Sequence, residues 1–186
     1  MNSQNDDSAA ADRFRLVAQR FCSLVDSAVT LDKTGFLLQV YRMLPELIGE
    51  AMRLPAGEFG NDDTAEDEVE DLETLVSHVQ AKARIGQEEW NQLYNALKEK
   101  LGDWNLYWQV FDPTKDNEAI RGSLADDIAG IHCDLKRGID PTESEQALPH
   151  DIIFEWRLGF YSHWGRHAMN ALYTIHSLLS DTLGEL

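Results

Sequence analysis

The chain has 186 residues, of which 16 are lysine or arginine and 33 aspartate or glutamate, for a formal net charge of −17. That charge excludes phosphate backbones as partners, because nucleic-acid binding needs clustered lysine and arginine. Hydrophobic residues make up 43%, enough for one domain without a disulfide or metal staple. Cys22 and Cys133 form neither a CxxC nor a zinc spacing, so the composition points to a reducing, cytoplasmic setting.

The first residues, MNSQNDDSAAAD, lack a basic start and an apolar run. They read as a disordered segment through residue 11, not as a signal peptide. Phe14, Val17, Phe21, Leu24, Val25 and Ala28 then form a helical stripe. A second stripe, from Thr34 to Leu54, holds Leu37, Val40, Tyr41, Leu44, Ile48 and Ala51. Pro45 inside it is expected to kink or divide the helix, since it removes a backbone bond and crowds the preceding turn. Pro55 and Gly57 stop it.

Between Glu58 and Glu73 stand nine acids with no lysine or arginine. Like charges repel and extend, which predicts a mobile acidic loop at about residues 56–66 leading into an acid-rich first helical turn. Its alternative use is as a docking patch, a mimic of nucleic acid that binds a basic protein. Val69, Leu72, Val76 and Val79 mark a third helix to about Arg84, which Gly86 is expected to break. Trp90, Leu93, Leu97 and Leu101 mark a fourth. The next segment, DWNLYWQVFDP, is aromatic and β-prone. It reads as an extended strap packed across the helices, with no partner strand in the chain. Trp104, Tyr107, Trp108 and Phe111 would make a stacking platform if exposed, but the acidic charge argues against nucleic acid there.

Ser123 can cap and Gly138 can close a fifth helix with Leu124, Ile128, Ile131 and Leu135 on its buried face. The last helix runs from about His150 to Leu183. Its longest uncharged stretch, Ala168 to Ser180, falls short of the ~20 residues of a membrane span, so no membrane partner is expected. These elements predict an all-α bundle of five to six helices with an extended aromatic strap, a single domain over residues 12–186.

Candidate chemistry concentrates on the last two helices. On an ideal wheel, Trp156, Phe160, Ala171 and Leu178 share one side with His163 and His167, and Asn170 lies at its edge. Asp127 and Asp134, seven residues apart on the fifth helix, also align. Glu155 lies two turns before His163 and off to one side. The candidate binding cluster is therefore Asp127, Asp134, Glu155, His163, Trp164 and His167. Polar groups beside a core need partners, since an unpaired one costs roughly 1–3 kcal/mol. The carboxylates can accept hydrogen bonds from Trp164, Arg166 or a histidine and lock two helices in register. They can equally form an organic ligand pocket, or a metal site with Asp127, Asp134, His163 and His167 as ligands. No HExxH and no Glu-x-x-His pair supports the metal. Gly159 and Gly165 suggest close approach by the strap or a neighbouring helix. His132 and Cys133 are adjacent, so they point apart and form no nucleophile pair. Serine-hydrolase, phosphate-loop and dinucleotide fingerprints are absent.

The reading is a small, soluble, acidic helical binding or interaction module without catalytic activity or cofactor, its partner a protein or a small ligand. A metal-dependent enzyme using the Asp/His cluster is the alternative, and the acidic mimic a further one. Three pieces, in order, carry a resemblance: Val110-Phe111-Asp112-Pro113, Leu124-Ala125-Asp126-Asp127-Ile128 with Asp134-Leu135-Lys136, and Glu155-Trp156, Phe160, His163-Trp164-Gly165 with His167-Ala168. Over about Asp12 to Leu179 the chain resembles a bacterial family known as domain of unknown function 5063. That resemblance implies an all-helical fold and no assigned activity. Members often show Ile-Tyr-Arg-Asp-Leu where this chain has Ile131-His132-Cys133-Asp134-Leu135.

Overall fold

The computed structural model describes residues 3–55, 72–110, 114–115, 117–139 and 149–184. Helix α1 covers Ser3–Asp26, so the irregular segment expected through residue 11 is helical from Ser3 onward. Ala10 and Ala11 are already buried. Alanine has the strongest helix preference of any residue, and its small side chain packs closely, which the polar composition of this segment obscures.

Helix α2 spans Lys33–Ala51, and Asp32 caps it by accepting a hydrogen bond from the Gly35 backbone N–H at 2.6 Å. Pro45 lies inside α2 and does not divide it. The buried face of Phe36, Leu37, Val40, Leu44, Leu47 and Ile48 holds the helix together across the missing bond. Helix α3, Leu72–Leu101, runs uninterrupted through Gly86, contrary to the expected break. Glycine in a helix interior costs only about 1 kcal/mol relative to alanine, too little to end a long helix. The expected acidic loop at about 56–66 lies outside the described residues, as do the residues after it up to 71.

The strap requires a correction. Strand β1, Leu106–Val110, pairs antiparallel with β2, Ala119–Ser123, with Tyr107 opposite Gly122 and Trp108 opposite Arg121. The second strand is short, carries a glycine and has only Ile120 as a large apolar residue, so no alternation announces it. A Cβ at Gly122 would fall 2.5 Å from the Tyr107 ring, so the bare backbone there lets the tyrosine lie across β2.

Helix α4, Leu124–Arg137, follows β2 directly, with Ser123 accepting from the Asp126 N–H at 3.3 Å and Gly138 at its C-terminal end. Asn105, before β1, is buried and accepts from the Ala125 N–H at 2.9 Å and the Ser123 hydroxyl at 3.0 Å. Those bonds tie the hairpin to the start of α4. Helix α5 (Pro149–Gly159), a π turn (Phe160–Trp164) and α6 (Gly165–Gly184) form the final helical stretch. The fold is thus mostly helical with one small sheet. Helix α4 is central: it packs on α1, α3 and α6, and Leu124, Ala125, Ile128, Ala129, Ile131 and Leu135 are fully buried. Among the described residues no helix is long and apolar enough to cross a membrane.

Candidate functional site

The π turn decides what the final stretch buries. One extra residue in a turn shifts everything after it by about 100° on the wheel. The buried stripe becomes Trp156, Phe160, Trp164, Ala168, Ala171 and Ile175. His163 and His167 leave that stripe for its flank, where His163 is exposed and His167 half-buried. The ideal wheel, which set both histidines among the core residues, is corrected by this one insertion. Gly165 permits the turn, since a Cβ there would stand 2.1 Å from the Phe160 carbonyl oxygen. Gly159 permits Trp164 to fold back, since a Cβ there would meet that indole at 2.9 Å. Both glycines answer contacts from their own stretch, where the sequence suggested the strap or another helix.

The flank faces α4, and two parallel pairs form there. His167 Nδ1 bonds Asp127 Oδ1 at 2.7 Å, and His163 Nδ1 bonds Asp134 Oδ2 at 2.6 Å. Seven residues on α4 span about 10 Å and four residues on a helix about 6 Å. The two imidazoles meet edge to face, with ring centroids 4.8 Å apart. A Cβ at Gly130 would touch His167 at 3.4 Å, an ordinary packing distance, so the His167 ring lies directly against α4. The four residues Asp127, Asp134, His163 and His167 are therefore brought together.

Strand β1 adds what the sequence did not single out as a site. The Tyr107 hydroxyl donates to Asp127 Oδ2 at 2.6 Å, so both oxygens of that buried carboxylate are engaged. Two residues along the same face, Gln109 accepts from Asn170 on α6 at 2.5 Å. The alternation Tyr107, Gln109 was present in the sequence, but only the pairing with β2 fixes which face turns toward α4 and α6. Asp126 is the second omission. One ligand atom each from Asp126, Asp127 and His167 lie within 4.8 Å of one another. Asp134 and His163 are not in that closest group.

Two members of the expected cluster lie elsewhere. Trp164 is fully buried against Phe14 and Phe160, and its indole N–H donates to the Trp156 carbonyl at 3.1 Å. It belongs to the core stripe that the π turn creates. Glu155 is exposed on α5 and takes no part in either Asp–His pair.

Burial raises the Asp127 carboxyl above its usual range, partly countered by bonds from His167 and Tyr107. Burial alone would lower His167, but the hydrogen bond and charge of Asp127 outweigh it and the pKa ends above the ordinary histidine value. Burial also raises the Tyr107 hydroxyl, reinforced by the Asp127 charge, so it stays a donor. A third pair sits across α4: His132 Nε2 bonds Asp26 Oδ1 of α1 at 2.8 Å. Its Nδ1 is buried with no hydrogen-bond partner among the described residues. Burial lowers the pKa of His132, with Asp26 opposing.

A mostly helical single domain with a polar seam beside its central helix is the class these features define. The chain belongs to the family described as domain of unknown function DUF5063, whose model matches residues 5–181. No curated protein matches it. Among solved structures it is similar to protein BF1032 from Bacteroides fragilis, at 21% identity over 89% of each chain with a TM-score of 0.62. That likeness establishes the fold alone.

Proposed function

We propose that this protein is a binding module whose ligand site is the seam of Asp127–His167 and Asp134–His163 between α4 and α6, roofed by Tyr107 and Gln109. The observation that carries the reading is the Asp134–His163 pair. His163 is 52% exposed and its partner 17%, so the core does not need this pair. It extends a buried pair outward to solvent, and the exposed His163 is held through Nδ1 so that its Nε2 remains for another partner. A small polar ligand, or a polar side chain of a partner protein, fits such a seam. The reading is one of binding rather than catalysis, because Asp127 and His167 spend their bonds on each other and on Tyr107. Residence in a bacterial cytoplasm belongs to the same reading and is supported by two free thiols, Cys22 and Cys133, with burial pushing Cys22 up to about 12.

The test is a fragment set of small polar molecules observed by NMR, with the ring signals of His163 and His167 as reporters. Fragments are expected to move those two signals together and to lose affinity in His163→Ala, whose melting temperature stays close to that of the parent. If no fragment moves them, or if His163→Ala unfolds the protein, the seam is structural.

A further inference from the structure

We propose that Asp126, Asp127 and His167 bind a single divalent first-row transition-metal ion, of the zinc or manganese type, at the roofed end of the seam. The inference rests on the binding role argued above and names the chemistry of its ligand. Three groups of the right types converge: one ligand atom from each lies within 4.8 Å of the other two. Two carboxylates with an imidazole suit borderline and hard divalent ions, and with the imidazole neutral their charge of −2 balances the ion.

The Asp127–His167 contact needs little change, and Asp126 closes in from within 4.8 Å. Asp127 Oδ1 and His167 Nδ1 stand 2.7 Å apart across a shared proton. Metal–oxygen and metal–nitrogen bonds of about 2.0–2.2 Å at a near-right angle require about 3 Å between those atoms. The ion would take the place of that proton, which leaves to solvent, and the two side chains part by a few tenths of an ångström. Tyr107 would keep its 2.6 Å bond to the other Asp127 oxygen, the outer-shell contact that fixes a ligating carboxylate. Asp127 and His167 are 3% and 13% exposed, whereas Asp126 is only half-buried. The site is thus walled on the protein side and open at Asp126. Three protein ligands leave coordination positions for water or a further molecule, as in sites that act on a ligand and unlike closed structural sites. All three ligands stand on helices, and Asp126 and Asp127 occupy the first turn of α4, which Ser123 and Asn105 fix.

The test uses the full chain stripped with chelator and titrated calorimetrically with Zn²⁺ or Mn²⁺ alone. One equivalent is expected to bind, with affinity falling at least about ten-fold in Asp126→Asn. The metal-free Asp126→Asn protein should melt with the parent, since Asp126 takes no part in the Asp127–His167 bond. Glu155→Gln, at an exposed position outside both Asp–His pairs, should bind metal like the parent. Mn²⁺ should broaden amide signals around residues 107, 126–127 and 167. Absence of stoichiometric binding, binding unchanged by Asp126→Asn, or broadening centred on the acid-rich residues 58–73 would overturn the proposal. Fragments that still move the His163 and His167 signals of a protein that binds no metal would leave the binding role standing and remove only the ion.

Discussion

Helix α4 contributes one partner to each of two Asp–His pairs that look alike and behave oppositely. On the side of α1, His132 meets Asp26 at 2.8 Å; on the side of α6, Asp127 meets His167 at 2.7 Å. The exposures are reversed. His132 is 5% exposed and its carboxylate 53%, while His167 is 13% exposed and its carboxylate only 3%. Burial lowers the pKa of His132 and Asp26 does not recover it, whereas burial lowers that of His167 but Asp127 more than recovers it. A hydrated carboxylate has a screened field, and a buried one does not. The location of the carboxylate, more than the length of the bond, therefore sets the direction in which the histidine pKa moves. In the first pair the carboxylate stands in solvent and the histidine in the core; in the second both partners lie inward, along a seam open to solvent at one end.

The largest effect should separate the two pairs by their carboxylates. Asp127→Ala removes a buried charge and strands both His167 and Tyr107, which predicts a loss of about 3–5 kcal/mol in urea unfolding. Asp26→Ala removes a hydrated carboxylate and strands one nitrogen of His132, for about 1–3 kcal/mol. Equal losses would break the comparison. So would an Asp127→Ala protein as stable as its parent, because the seam would then hold no buried charge.

A smaller effect, visible across pH, sharpens the same contrast. The folded pKa of His132 lies below 6.5, its ordinary value in the unfolded chain. Its contribution to stability is therefore present above pH 6.5 and lost as the pH falls from there toward the folded value. Asp26, Lys136 and Glu89 set the charge around it, burial being the larger influence. His167 has the opposite sign: its contribution is complete below 6.5 and lost as the pH rises through its raised folded value. NMR titration should find His132 titrating below 6.5 and His167 above it. His132→Gln should flatten the acid side of the stability profile and leave the alkaline side in place. Both histidines titrating on the same side of 6.5 would defeat the argument from carboxylate burial.

The sequence made the seam legible and its roof illegible, for identifiable reasons. Spacings of four residues between His163 and His167 and of seven between Asp127 and Asp134 survive folding, because both sets stand on helices. The helical stripes of α1, α2 and α4 survive for the same reason. What failed is whatever depends on a departure from the regular period. The π turn at Phe160–Trp164 moved Trp164 into the core and both histidines out of it, and nothing except Gly159 and Gly165 marked the place. Pro45 and Gly86 looked like breaks, yet each costs less than the packing that surrounds it or the length of its helix supplies. The strap showed Tyr107 only as one of its aromatics and hid the place of Tyr107 and Gln109 at the seam, because β2 offers a strand of small or polar residues around Ile120. Asp126 was passed over beside Asp127, since adjacent residues on a helix point in different directions, and only the arrival of His167 lets both carboxylates serve one point.

The smallest predicted effect is at the outer end of the seam, and it bears most directly on function. His163 is half exposed, and Asp134 also has Arg137 at 3.6 Å, so removing the imidazole leaves the carboxylate with a cationic partner. A polar contact this close to solvent is worth at most about 1 kcal/mol. His163→Ala should therefore lower stability by less than about 1 kcal/mol, well under the loss predicted for Asp127→Ala, although the two bonds differ by only 0.1 Å. A loss above about 2 kcal/mol would mean that His163 supports the fold as His132 does. The seam would then be one structural network from its buried end to its surface. A loss near zero would leave an aligned, solvent-facing Asp–His pair beside a buried one with no stabilising role, the arrangement expected where side chains are kept for what they bind.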